Sequence, residues 1–113
     1  MREIKRLQSI FQTLSDYNRL IIIKSICDKE LSVGEIVSIT KLSQPLVSHH
    51  LKILKNNEFL DTRRKGPFIY YYLNNPKILY AIDLFLEIFK KTNIEYNKEL
   101  WFCSDMIFRK FNK

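Results

Sequence analysis

Leu42-Ser43-Gln44-Pro45-Leu46-Val47-Ser48-His49-His50-Leu51-Lys52-Ile53-Leu54 is the stretch on which the reading of the whole chain turns. Ser43 is a good helix N-cap, and Pro45, two places on, falls in the first turn, where a missing N–H costs nothing. Beyond it, Leu46, Val47, Leu51 and Leu54 recur at helical spacing and are expected to face a core. Gln44, Ser48, His49 and Lys52 fall on the other side. They are short or medium polar side chains rich in donors and acceptors, suited to base edges and phosphates in a major groove. Taken alone, the same pattern describes an ordinary amphipathic surface helix, so its neighbours must decide.

Downstream, Phe59-Leu60-Asp61-Thr62-Arg63-Arg64 and Phe68-Ile69-Tyr70-Tyr71-Tyr72-Leu73 read as two strands, the second aromatic and β-branched. Lys65-Gly66-Pro67 between them is a turn signal. The tip of this hairpin carries Arg63, Arg64 and Lys65, placed to reach phosphates or a minor groove. Exposed basic tips are also often merely solvated. Upstream, Ser32-Val33-Gly34-Glu35 fits the S-x-x-E capping box and opens a short helix with Val33, Ile36, Val37 and Ile39 inward. Thr40-Lys41 is the turn into the helix quoted above. Two short helices, a tight turn and a polar second helix make a helix-turn-helix over 32–57, and the hairpin at 59–73 adds a wing.

Toward the N-terminus, Ser15 and Asp16 are expected to start a helix that runs to about Asp28 and buries Leu20, Ile22, Ile23, Ile26 and Cys27. Ile21-Ile22-Ile23 would also suit a strand, but a cap precedes the run and Arg19 and Lys24 flank it at helical spacing. Before it, Ile4, Leu7, Ile10, Phe11 and Leu14 form one helical stripe. Beyond the wing, Asn75-Pro76 caps a helix holding Ile78, Leu79, Ile82, Leu84, Phe85, Leu86, Ile88 and Phe89. A last helix is expected from about Ile94 to Phe111, with Leu100, Trp101, Cys103, Ile107, Phe108 and Phe111.

The expected fold is therefore mainly α with a small β-hairpin: a winged helix-turn-helix of four helices, two strands and a fifth helix, plus a C-terminal helix. One domain spans 1–113, as the length suggests. The helices at 1–14 and 75–113 carry more apolar surface than so small a domain buries, which points to a homodimer through the terminal helices. A formal charge of +7 points to a polyanion or an acidic surface as partner. No apolar run approaches the roughly 18 residues of a membrane span. The N-terminus lacks the apolar heart of a signal peptide. The expected location is cytoplasmic, with no membrane partner. No nucleophile elbow, Gly-rich phosphate loop or metal-ligand cluster suggests an enzyme or a cofactor.

This order of elements resembles the ArsR/SmtB-type family of bacterial dimeric winged-helix transcriptional repressors. The likeness is carried by Leu14-Ser15-Asp16 with Arg19-Leu20, by Glu30 to Ile36, by Ser43 to Leu54, and by Arg63-Arg64-Lys65-Gly66 followed by Ile69 to Leu73. It covers about Phe11 to Phe89. The resemblance implies binding of double-stranded DNA, at an inverted-repeat operator, as a homodimer, with an inducer that the residues do not identify. It makes Gln44, Ser48 and His49 candidates for base edges and Ser43 and Lys52 candidates for phosphates, with His50 nearer the core. The chain departs from the family at the sensor. Metal-binding members carry two cysteines where this chain has Ser32 and Gly34, neither a soft-metal ligand by side chain. Asp83 and Glu87 lie one turn apart without a histidine, which reads as a solvated face. No metal site is expected. Some members sense oxidants through one cysteine on the second helix and one on the last, as Cys27 and Cys103 would be; buried inert thiols are the competing reading. Another reading of the whole is a protein-interaction module docking through Trp101, Phe102, Phe108 and Phe111.

Overall fold

Short polar side chains set where the helices begin. Asp16 accepts from the Arg19 N–H at 3.0 Å and starts the second helix. Ser32 and Glu35 form the complete capping box, each side chain taking the other's backbone N–H. Ser43 accepts from the Leu46 N–H at 3.3 Å. Asn75 Oδ1 accepts from the Lys77 N–H at 3.0 Å, so Pro76 stands just before the fifth helix rather than inside it. Each such cap satisfies a donor that the helix itself leaves open.

The computed structural model describes residues 1–89. Its elements are α1 (Arg2–Leu14), α2 (Tyr17–Ile26), β1 (Leu31–Ser32), α3 (Val33–Thr40), α4 (Gln44–Asn56), β2 (Leu60–Lys65), β3 (Phe68–Leu73) and α5 (Lys77–Ile88). The expected last helix, with Leu100, Trp101, Phe102, Cys103, Ile107, Phe108 and Phe111, lies outside the described residues. The chain divides into two compact units, Met1–Asn74 and Asn75–Lys113.

In the first unit α2 packs against α1, α3, α4 and β3. Ile22, Ile23 and Ile26 are wholly enclosed, and Ile36, Val47, Leu51, Leu54 and Leu60 are at most 1% exposed. Fully burying one such side chain stabilises by roughly 1.5–3 kcal/mol. That is why the β-branched Ile21-Ile22-Ile23 run is helical despite its strand propensity. Leu20 is only partly buried, and Ile39, expected inward, is exposed near the end of α3.

The sheet has one strand more than the sequence suggests. Its order is β1-β3-β2, antiparallel throughout. Leu31 pairs with Tyr71 and Ser32 with Tyr70, tying the α2–α3 link to the wing. Across the hairpin, Arg63 pairs with Tyr70, Arg64 with Ile69 and Lys65 with Phe68. Gly66 turns the tip with φ +60. With Pro67 confined by its ring to negative φ, this is the two-residue turn that takes glycine first.

In the second unit, α5 buries Leu79 and Ile82 and exposes Phe85, Leu86, Ile88 and Phe89. Among the described residues no helix is long and apolar enough to cross a membrane.

Candidate nucleic-acid interface

Helix α4 has two faces that follow from spacing alone. Val47, His50, Leu51 and Leu54 recur at three and four residues and are buried. Gln44, Ser48 and Lys52 recur every four and are exposed, with His49 beside them. The apolar face seals the helix to the core, and the polar face is presented outward along three turns. Ser43 is exposed at the N-terminus, where its oxygen serves as the cap. Its hydroxyl proton remains able to donate.

His50 is the polar member of the buried face, and its surroundings fix its state. Arg19 Nη1 lies 3.4 Å from His50 Nδ1. A guanidinium has no acceptor, so Nδ1 accepts and the proton of the neutral ring is on Nε2. Nε2 faces Asp16 Oδ1 at 3.9 Å. Burial pushes the His50 pKa down, and the charges of Arg19 and His49 act in the same direction, while Asp16 pulls the other way. The Arg19 backbone N–H holds the Asp16 carboxyl below its usual value, with His50 and Arg19 charges helping. Arg19 also donates from Nε to the Thr13 carbonyl at 2.6 Å and from Nη2 to the Gln12 carbonyl at 3.5 Å. One arginine thus joins the C-terminal carbonyls of α1 to the inner face of α4.

The wing divides its three cations between two faces of the sheet. Side chains alternate along a strand, so Arg63 and Lys65 share one face and Arg64 takes the other with Thr62. Lys55 of α4 donates to Thr62 Oγ1 at 3.2 Å, which identifies the Arg64 face as the side on which α4 lies. Arg64 Nε reaches the Gly66 carbonyl at 3.3 Å across the tip. On the opposite face, Glu30, just before β1, meets both other cations: Lys65 Nζ at 2.9 Å and Arg63 Nε at 3.3 Å. The same cations lie over tyrosine rings, Lys65 at 5.3 Å from the Tyr70 centroid and Arg63 at 5.8 Å from that of Tyr72. The Lys65 hydrogen bond, and then the Arg63 and Lys65 charges, hold the Glu30 carboxyl below its usual range.

All eight DNA-contact candidates therefore belong to α4, its cap or the wing. Sequence reading missed the partners that position them. Glu30 is 33 residues from Arg63, and only the two-residue strand β1, which has no periodic signature, brings it near. Arg19 was legible as a helix flank but not as the link to His50. Cys27 is buried at the end of α2 with a left-handed φ of 54; Cys103 lies outside the described residues. Ser32 is occupied as a cap, and among the described residues no three histidine, cysteine or acidic side chains gather as a metal would require.

A helix-turn-helix with an exposed polar face, followed by a basic hairpin, defines a winged-helix transcriptional regulator that binds DNA. The family described as "Bacterial regulatory protein, arsR family" matches residues 16–62. Over 85 residues the chain is 34% identical to the transcriptional repressor SdpR of Bacillus subtilis, covering 75% of this chain and 94% of the relative. Among solved structures, reduced HlyU from Vibrio cholerae superposes with a TM-score of 0.68 at 27% identity, covering 80% of this chain and 95% of that one. The homodimeric winged helix-turn-helix domain of Mb0332 from Mycobacterium bovis gives 0.73 at 17% identity over 85% and 92%, a likeness of fold. The chain belongs to the ArsR family of bacterial regulatory proteins. The alternative of a protein-docking module is not favoured by these relatives, and its aromatic residues lie outside the described part of the chain.

Proposed function

We propose that this regulator acts in the cytoplasm as a homodimeric repressor that reads an inverted-repeat operator. The observation that carries the reading is the outward row Gln44, Ser48 and Lys52 on a helix whose other face is locked into the core. Gln44, Ser48 and His49 would meet base edges, and Ser43 and Lys52 phosphates. Arg63, Arg64 and Lys65 would meet phosphates or the minor groove beside them. Arg64, on the α4 side of the wing, is the best placed of the three.

The homodimer rests on α1. Ile4, Leu7 and Phe11 are exposed along one stripe, beside a shallow apolar depression of about 430 Å³. The terminal segments 1–14 and 75–113 are the proposed dimer helices. A two-fold axis would set two copies of α4 about 34 Å apart, in successive major grooves.

Electrophoretic shift with fragments of the source genome, followed by footprinting, tests this directly. A protected inverted repeat is expected, and binding with no preference among fragments rejects the reading. Gln44→Ala should then cost about 1–3 kcal/mol on that site, if its contact is bidentate, and almost nothing on random duplex. Equal losses on both would remove Gln44 from base readout.

A further inference from the structure

Three cations at a wing tip suggest three phosphate contacts, but the sheet disposes of them unequally. Glu30 holds two of them at ion-pair distance, whereas Arg64, on the far face, reaches the Gly66 carbonyl and forms no ion pair among the described residues. The side chains concerned are exposed at about half their surface or more, 59% for Arg63 and 56% for Lys65, whereas Glu30 is 26% exposed. The carboxylate is thus the less exposed partner, just before β1, and the cations reach over to it from β2. Both carboxylate oxygens are used, one per cation, as a phosphate would use two of its own.

We propose that Glu30 acts as an internal stand-in for a DNA phosphate, occupying Arg63 and Lys65 in the free protein so that a duplex must displace it to gain those two cations. This rests on the reading above that the wing contacts DNA. The physical basis is competition. An ion pair at a surface is weak and screened, so it yields to a duplex whose backbone carries one charge per about 1.7 Å. While it lasts, its single negative charge offsets one of the two positive charges in the long-range field, and both cations are withheld from the phosphates whose counterions they would release. Non-specific affinity is thereby held down, while Gln44, Ser48 and His49 on α4 are untouched. Glu30 would set how strongly the protein favours its own site over bulk DNA without touching a base.

The test uses the full chain and a fluorescent duplex of arbitrary sequence, about three helical turns long, titrated at several salt concentrations. Glu30→Gln is expected to bind about three- to tenfold more tightly and to steepen the slope of log K against log salt by about 1–2, one phosphate contributing ~0.9. Asp61→Asn is the charge-matched control. Asp61 lies on β2 with Arg63 and Lys65, takes its own neighbour's N–H at 2.8 Å, and forms no ion pair among the described residues. It should tighten binding by less than about twofold. Equal tightening in the two variants, or weaker binding by Glu30→Gln, overturns the proposal. Glu30→Ala repeats the comparison with another side chain, and thermal unfolding checks that each variant is folded.

The double variant Arg63→Gln/Lys65→Gln separates the two ideas. It should weaken binding more in the Glu30→Gln background than in the natural chain. The same loss in both backgrounds leaves the wing on DNA and removes the competition. No loss in either removes the wing contact itself, and the proposal with it.

Discussion

His50 sits on the enclosed side of α4 among aliphatic neighbours, with Arg19 on one ring nitrogen and Asp16 near the other. Its folded pKa is pushed below the ordinary value of 6.5 by burial. In the unfolded chain the ring titrates near that ordinary value. Between the two values the unfolded state holds more protons, so stability rises with pH across that window. The contribution is whole above about pH 6.5 and is lost as the pH falls through the lowered folded value. Asp16 stays ionised throughout this range, because its own pKa is held below 3.8. We therefore expect the midpoint of thermal unfolding to fall between pH 7 and pH 5, and the fall to be shallower in His50→Gln. Glutamine keeps an acceptor for Arg19 and cannot take the proton. Identical pH profiles for the two proteins would assign the acid sensitivity elsewhere.

At the scale of elements, the parts with local causes were legible and those with distant causes were not. Caps at Asp16, Ser32 and Ser43, the apolar rows of α2 and α4, and the Gly66 turn are properties of a few adjacent residues. Each stands where sequence reading puts it, except that Leu20 of α2 and Leu46 of α4 are only partly buried. Strand β1 has two residues and exists because β3 offers it an edge, so nothing in Leu31-Ser32 announces it. The exposure of Ile39 has the opposite origin: an apolar residue near the end of a short helix reads as core, but α3 turns it outward. Glu30 was invisible as a partner because its cations lie across two strand pairings. The wing turn supplies an element-scale test. A Cβ on Gly66 would meet nothing within 4 Å, so Gly66→Ala isolates the backbone conformation. A left-handed residue other than glycine costs about 1–2 kcal/mol. Gly66→Ala should lower the unfolding midpoint by about 4–8 °C per kcal/mol, and Gly66→Asn should recover part of it, since asparagine tolerates positive φ. No change in either variant would mean that the tip does not share in cooperative unfolding.

At the scale of the whole molecule, the exposed apolar stripe of α1 is the surface through which copies are proposed to pair. Leu7 is 48% exposed in the middle of the α1 stripe. A charge there would be buried without a partner in a dimer seam. Leu7→Glu should therefore shift the sedimenting species toward monomer and weaken operator binding at least tenfold, while the isolated fold melts within a few degrees of the natural chain. A dimer that persists in Leu7→Glu, with operator binding intact, would place the seam on other residues.

The arginine that joins α1 to α4 bears on this directly. Its fork grips the exit of one helix through two carbonyls and braces an imidazole on the concealed flank of another. Sliding α1 along its axis would pull those carbonyls off the guanidinium and unseat the imidazole in the same movement. If copies pair through α1 as proposed, the distance between them and the pitch of α4 would be geared to each other through this side chain.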